Sequence, residues 1–234
     1  MEEFYRKRGL KLYTRPVCLG WKCIVDYLSG KRTPARILED AFLKEIMPSL
    51  KGKVVELGAM PISGYKNLAT SADEYIVTNI HKDKEWCTYL DATKMDLPNN
   101  SVDGIICANM LGQIPDPKKV ISEIRRVLCI GGTAVIVAPF FYYFTEAPDD
   151  YYRFSPSVLL RYFSDFQIIR CETLCNYWST MAALVQNPKF LGEPRPWDFL
   201  ARFIGLFLLL LSRTRRHQDR FFMICCLVAE KKNP

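Results

Sequence analysis

The chain has 234 residues, 49% of them hydrophobic and 24% charged, which describes a globular protein with one sizeable domain and excludes a disordered one. Its net charge of +7 leaves two readings open, solvated surface lysines and arginines or an anionic partner, and no long basic run or nucleic-acid motif supports a nucleic acid as that partner. The nine cysteines are odd in number, several lie in apolar runs and no secretory signal leads the chain, so reduced thiols in a cytoplasmic compartment are expected rather than a disulfide framework. With only His81 and His217 and no Cys-x-x-Cys pair, no metal site is expected.

The first fifty residues read as helices. "VCLGWKCIVDYLSG" carries apolar residues at helical spacing and stops at Gly30. "TPARILEDAFLKEIMPSL" offers Thr33 as N-cap, Pro34 in the first turn and a stop before Pro48. The pattern then switches to short runs rich in β-branched residues: "KVVELGA", "EYIVTNI", "VDGIICAN", "GTAVIVAPF", "FQIIRCETL" and "FFMICCLVAEK". Their near-continuous hydrophobicity predicts strands buried on both faces, as in a parallel sheet. Between them "DPKKVISEIRRVLCIGG" predicts an amphipathic helix with Val120, Ile121, Ile124, Val127 and Leu128 on one stripe, ended by Gly131 and Gly132. Strands alternating with helices argue for an α/β sheet with right-handed crossovers.

The C-terminal third begins with a Pro/Gly-broken loop, "NPKFLGEPRPW". An apolar run without polar break follows from Phe203 to Leu211, shorter than the ~20 residues of a spanning helix. A helix over 199–216 is expected. It either packs on the sheet or lies in a membrane interface, with Arg213, Arg215 and Arg216 meeting anionic headgroups. The reading divides the chain into a helical segment, 1–50, and an α/β domain, 51–234, that includes this apolar helix.

The chemistry-bearing residues follow in order. Glu56 and Gly58 close the first strand, where nucleotide-type cofactor sites open, but the glycines expected next are replaced by Met60 and Ile62. A second strand ends at Asn79. Then come Asp91-Ala92, Leu97-Pro98, Ser101-Val102-Asp103, Pro115-Asp116-Pro117, "EIRRVL" and Gly131-Gly132. Each is weak alone. In this order and spacing they resemble the class I S-adenosylmethionine-dependent methyltransferases of type 11, over residues 50–175 with the last strand at 221–231. "APDDYYRFSPSVLLRYF" is similar to a subgroup whose loop reads Ala-Pro-x-Asp-Tyr-x-Arg-Phe-Thr/Ser-Pro before a helix, and which is associated with sugar and cell-envelope metabolism. That subgroup's first loop carries a Ser and a Tyr, here matched by Ser63 and Tyr65.

The resemblance implies a Rossmann-like, seven-stranded, mostly parallel sheet with an antiparallel last strand, and S-adenosyl-L-methionine as cofactor. Glu56 would bear on the amino-acid end of the cofactor, with Gly58 and Ala59 allowing close backbone approach. Asn79 stands where the family has a ribose-binding carboxylate. An amide there loses the charge-assisted strength. Asp91, with Ala92, would meet the adenine amine, the alternative being a turn or cap aspartate. Asn109, ending the fourth strand, completes the set. Gly112-Gln113 and Thr145 stand where the family often has Glu-His and His. Glu146, Asp150 and Arg153 are the catalytic candidates at the substrate mouth; Arg153 either anchors its loop on a carboxylate or contacts a substrate phosphate. The expected function is methyl transfer to a small-molecule or sugar/envelope acceptor. The alternative is a methyltransferase-like binding or scaffolding protein without turnover, associated with a membrane. A nicotinamide dehydrogenase is excluded because Gly-x-Gly-x-x-Gly is absent.

Overall fold

A computed structural model describes residues 2–8, 21–61, 65–146, 149–186, 198–212 and 221–233. Seven strands form one sheet: β1 (Gly52–Leu57), β2 (Ala72–Asn79), β3 (Thr88–Tyr89), β4 (Val102–Ala108), β5 (Leu128–Pro139), β6 (Phe166–Leu174) and β7 (Ile224–Lys231). Their order is β3-β2-β1-β4-β5-β7-β6, mostly parallel with an antiparallel end. The six predicted strands are all present. The two-residue edge strand β3 carries no apolar run and was not predicted.

The central strands are apolar on both faces because both faces are covered. Val54, Val55, Leu57, Ile105, Ile106 and Val135 are almost wholly buried. Val55 lies opposite Ile76 of β2 on one side and Ile105 of β4 on the other, so three strands interlock through β-branched residues.

The described helices are α1 (Glu2–Arg6), α2 (Trp21–Leu28), α3 (Pro34–Ile46), α4 (Pro117–Val127), α5 (Pro156–Tyr162), α6 (Tyr177–Gln186) and α7 (Asp198–Ser212). Helix α4 starts at Pro117, which has no N–H to waste, and buries Val120, Ile121, Ile124 and Val127. It ends earlier than the glycine pair suggested. Leu128 turns extended and donates its N–H to Ile124 O, and Gly131 and Gly132 belong to β5. Of the predicted helix 199–216, the part to Ser212 is helical. Arg213, Arg215 and Arg216 lie outside the described residues, as does Ser63.

The chain forms two compact units. One comprises 1–42, 140–143 and 172–224; the other comprises 43–139, 144–171 and 225–234. The apolar helix therefore groups with the N-terminal helices rather than with the sheet, a division different from the boundary at residue 50. The physical reason is the packing of α7 on α6 and α2. Tyr27 donates to Ala182 O at 3.3 Å, Gln186 Nε2 to Tyr27 O at 2.7 Å, and Arg202 Nη1 to Leu28 O at 3.0 Å. Asn176 Nδ2 takes a terminal carbonyl of α7, Ser212 O, at 3.0 Å.

Candidate active site

The sheet order reverses between β1 and β4. From β1 the chain steps outward to β2 and β3, then returns to the other side of β1 for β4 and β5. Ligands of open α/β sheets bind beyond the carboxyl ends of the strands at such a switch point. The two residues that leave it, Gly58 after β1 and Asn109 after β4, both have left-handed backbone, with φ of 64° and 58°. For Asn109 this is a sparsely populated conformation of the kind concentrated at functional sites. A methyl group on Gly58 would stand 2.6 Å from Met110 Cγ and Sδ, so glycine is required both by φ and by space.

The sequence-predicted cofactor residues all sit at this end of the sheet unit. Glu56 is buried and accepts a 2.7 Å hydrogen bond from Tyr75 OH. Burial, together with the Glu56 carboxylate, pushes the Tyr75 phenol well above its ordinary range, so it stays a proton donor. The start of the loop after β1 is tied to β2. Ala59 N donates to Thr78 O at 2.9 Å, and Asn79 Nδ2 donates to Ala59 O at 2.6 Å. Asn79 Oδ1 accepts from His81 N at 3.3 Å. An aspartate at position 79 could not donate to Ala59 O, which gives the asparagine a structural reason.

Leu90 N donates to Asn79 O at 2.9 Å and brings Asp91 to the end of β2. Asp91 Oδ1 accepts from Thr93 N at 2.8 Å and Thr93 Oγ1 at 2.7 Å, the turn-capping role left open by the sequence, with Ala92 buried beside it. Met60, named above in place of a glycine, is exposed after β1, and two further exposed apolar side chains escaped the sequence reading: Ile80 after β2 and Tyr89 in β3. For Ile80 the available signal was an apolar residue directly after the strand-ending Asn79. Cys107 in β4 is fully buried, and burial pushes its thiol up to about 12.

The candidate catalytic loop folds onto the turn after β4. Tyr151 N and Tyr152 N both donate to Gly112 O, at 2.8 and 3.0 Å, and Tyr152 OH donates to Pro115 O at 3.0 Å. A methyl group at Gly112 would stand 2.8 Å from Tyr152 O. The glycine that departs from the family's Glu-His pair thus makes room for this loop. Within it, Arg153 forms a two-pronged ion pair with Asp150, whose Oδ2 also accepts from Thr145 N at 3.1 Å. The Arg153 guanidinium holds the Asp150 carboxyl below its ordinary value, against the opposing effect of burial. This pair closes the loop on itself. Phe154 is fully buried, with its N–H on Pro139 O. Glu146 is exposed.

A cleft of 370 Å³ lined by Ser49, Gly52, Asp103 and Thr133 opens at the amino ends of β1, β4 and β5, away from this site.

Residues 65–136 match the family model for a methyltransferase domain, of type 11. The phosphatidylethanolamine N-methyltransferase of Cereibacter sphaeroides is 25% identical over 99 residues, which cover 42% of this chain and only 38% of that relative's length. Among solved structures, a SAM-dependent methyltransferase from Archaeoglobus fulgidus superposes with a TM-score of 0.56 at 17% identity, covering 83% of this chain and 93% of that one. Phosphoethanolamine N-methyltransferase 2 of Haemonchus contortus, solved with S-adenosyl-L-methionine, gives 0.54 at 18% identity, over 90% of this chain and 57% of that one. The [4+2]-cyclase SpnF gives 0.56 at 14% identity, over 91% and 93%. These likenesses show a shared fold. Beyond the fold, the match to a methyltransferase domain rests on residues 65–136.

Proposed function

We propose that this protein transfers a methyl group from S-adenosylmethionine to a small-molecule or envelope-sugar acceptor. The observation that carries the reading is the switch point. There the left-handed Gly58 and Asn109 flank β1 and β4 within a chain whose residues 65–136 match a methyltransferase domain. The residues present fit the cofactor: a close-approach glycine, backbone polar groups, and the carboxylates of Glu56 and Asp91. Glu56, Gly58 and Ala59 would hold its amino-acid end, Asn79 the ribose, Asp91 and Ala92 the adenine, and Asn109 the side nearest β4. When bound, the cofactor supplies an already activated sulfonium methyl. The chain's share is then to align the acceptor and exclude water.

Glu146 is the carboxylate we assign to receive an acceptor proton, because the Asp150 carboxyl is engaged by Arg153. Asp150 and Arg153 are positioning residues that shape the mouth. The named relatives act on phosphatidylethanolamine and phosphoethanolamine, so amine acceptors stand beside sugars in the test set. Isothermal titration with S-adenosylmethionine tests the cofactor, and transfer of labelled methyl to a panel of nucleotide sugars and ethanolamine phosphates tests the acceptor.

A second reading, cofactor-like binding without turnover, is favoured by one observation. The amide of Asn79 is already committed to Ala59 O and His81 N. Tight cofactor binding with no transfer to any acceptor supports it, and absence of cofactor binding leaves a scaffolding role.

A further inference from the structure

Glu56 is held by side chains of β2 as well as by the backbone ladder. Thr78 Oγ1 donates to Glu56 O at 2.7 Å, and Tyr75 OH donates to Glu56 Oε2 at 2.7 Å. A parallel ladder is built from backbone groups alone, so neither bond is needed to form the sheet. The register explains the second bond. Val54 pairs with Tyr75 and Glu56 with Val77, and side chains alternate between the faces of a sheet. Tyr75 and Glu56 therefore share one face, and the phenol reaches along it toward the carboxyl ends of the strands. Glu56 is 2% exposed, and a carboxylate so buried is costly unless it is hydrogen-bonded and met by positive charge. Burial, with the carboxylate beside it, holds the Tyr75 phenol well above its ordinary range, so the bond keeps its direction from hydroxyl to carboxylate.

We propose that Tyr75 is a positioning residue for the cofactor, its hydroxyl fixing the Glu56 carboxylate to receive the ammonium of S-adenosylmethionine. The inference rests on the methyl-transfer function proposed above and adds to it a residue inside β2 that no strand-end motif marks. A phenol orients a carboxylate without neutralising it, whereas a lysine or arginine at position 75 would form an ion pair with it. The negative charge thus serves selection of the amino-acid end of the cofactor, whose adenosine part carries no cation. Thr78 supports the same arrangement through the backbone. Its hydroxyl holds Glu56 O and its carbonyl accepts from Ala59 N at 2.9 Å, so β2 fixes the carboxylate, its strand and the start of the loop together.

The test is isothermal titration of the full chain with S-adenosylmethionine and with 5′-methylthioadenosine, which keeps the adenosine and lacks the amino-acid end. Tyr75→Phe removes one oxygen and keeps the ring. It should bind S-adenosylmethionine about tenfold more weakly and methylthioadenosine within about twofold of the unaltered protein. A merely structural role would weaken both alike. That result, or an unchanged affinity for S-adenosylmethionine, overturns the inference while the proposed function stands. Where Tyr75→Phe does not fold, or methylthioadenosine binds too weakly to titrate, Glu56→Gln is compared with the double variant Glu56→Gln/Tyr75→Phe, in which no buried charge loses its donor. Affinities for S-adenosylmethionine within about threefold of each other support action through Glu56, and a larger further loss overturns it. Failure of the unaltered protein to bind S-adenosylmethionine overturns this inference together with the function on which it rests.

Discussion

At Gly112 the loop carrying Asp150 and Arg153 meets the turn after β4 so closely that a single methyl group has no room. Gly112→Ala should therefore cost about 1–3 kcal/mol, read from urea unfolding, because the opposing atom is a backbone oxygen that cannot swing aside. Asp150 allows a pH test. Its folded value is depressed by Arg153, so the pair's stabilisation is present above the ordinary carboxyl value of 3.8 and is lost as pH falls through the lower folded value. Arg153→Gln should lower the unfolding midpoint at neutral pH, and the gap to the unaltered protein should close on acidification below that value. Asp91 does two things at once, capping Thr93 and offering a carboxylate at the end of β2. Asp91→Asn keeps an oxygen for the cap. It should leave the fold intact and weaken S-adenosylmethionine binding by about 1–3 kcal/mol in a calorimetric titration. Unchanged affinity would remove Asp91 from the adenine site.

Among the elements, α7 is held by the fit of one glycine. A methyl group at Gly205 would stand 1.7 Å from Tyr27 OH, which itself donates to Ala182 O of α6. One phenol therefore links α2, α6 and α7. Gly205→Ala should destabilise the protein by about 1–3 kcal/mol, measured as a lower thermal or urea midpoint, despite the better helix propensity of alanine. Helix α4 shows a different kind of fastening. Arg126 donates to Met95 O, Leu97 O and Asn99 Oδ1 and pairs with Glu123, whose Oε2 in turn accepts from Met95 N. The segment that leads from β3 to β4 is thereby tied to the last turn of α4.

For the molecule as a whole, ligand linkage gives a test independent of any acceptor. A cofactor bound only by the folded state at a hundred times its dissociation constant should stabilise that state by about 2.7 kcal/mol. The thermal midpoint should rise with S-adenosylmethionine, and the rise should shrink in Asp91→Asn.

Hydrophobic periodicity and the chemistry of strand ends were legible in the chain. Val54 to Gly58, Tyr75 to Asn79 and Val102 to Asn109 announce parallel strands with polar exits, because burial on both faces demands continuous apolar residues and ligands meet the carboxyl ends. The order of the short motifs after Asp91 was equally readable. Packing decided the rest. Asn79 reads as a weakened ribose ligand until its amide is found on Ala59 O, and Gly112 as a lost catalytic position until Tyr152 O is found against it. Helix α4 stops at Val127 because Leu128 enters β5, which no local signal distinguishes from a glycine stop three residues later. An apolar run from Phe203 to Leu211 cannot say which of its faces is covered, since that depends on helices distant in sequence. Only the packing of α2 and α6 leaves Phe203 and Phe207 facing outward.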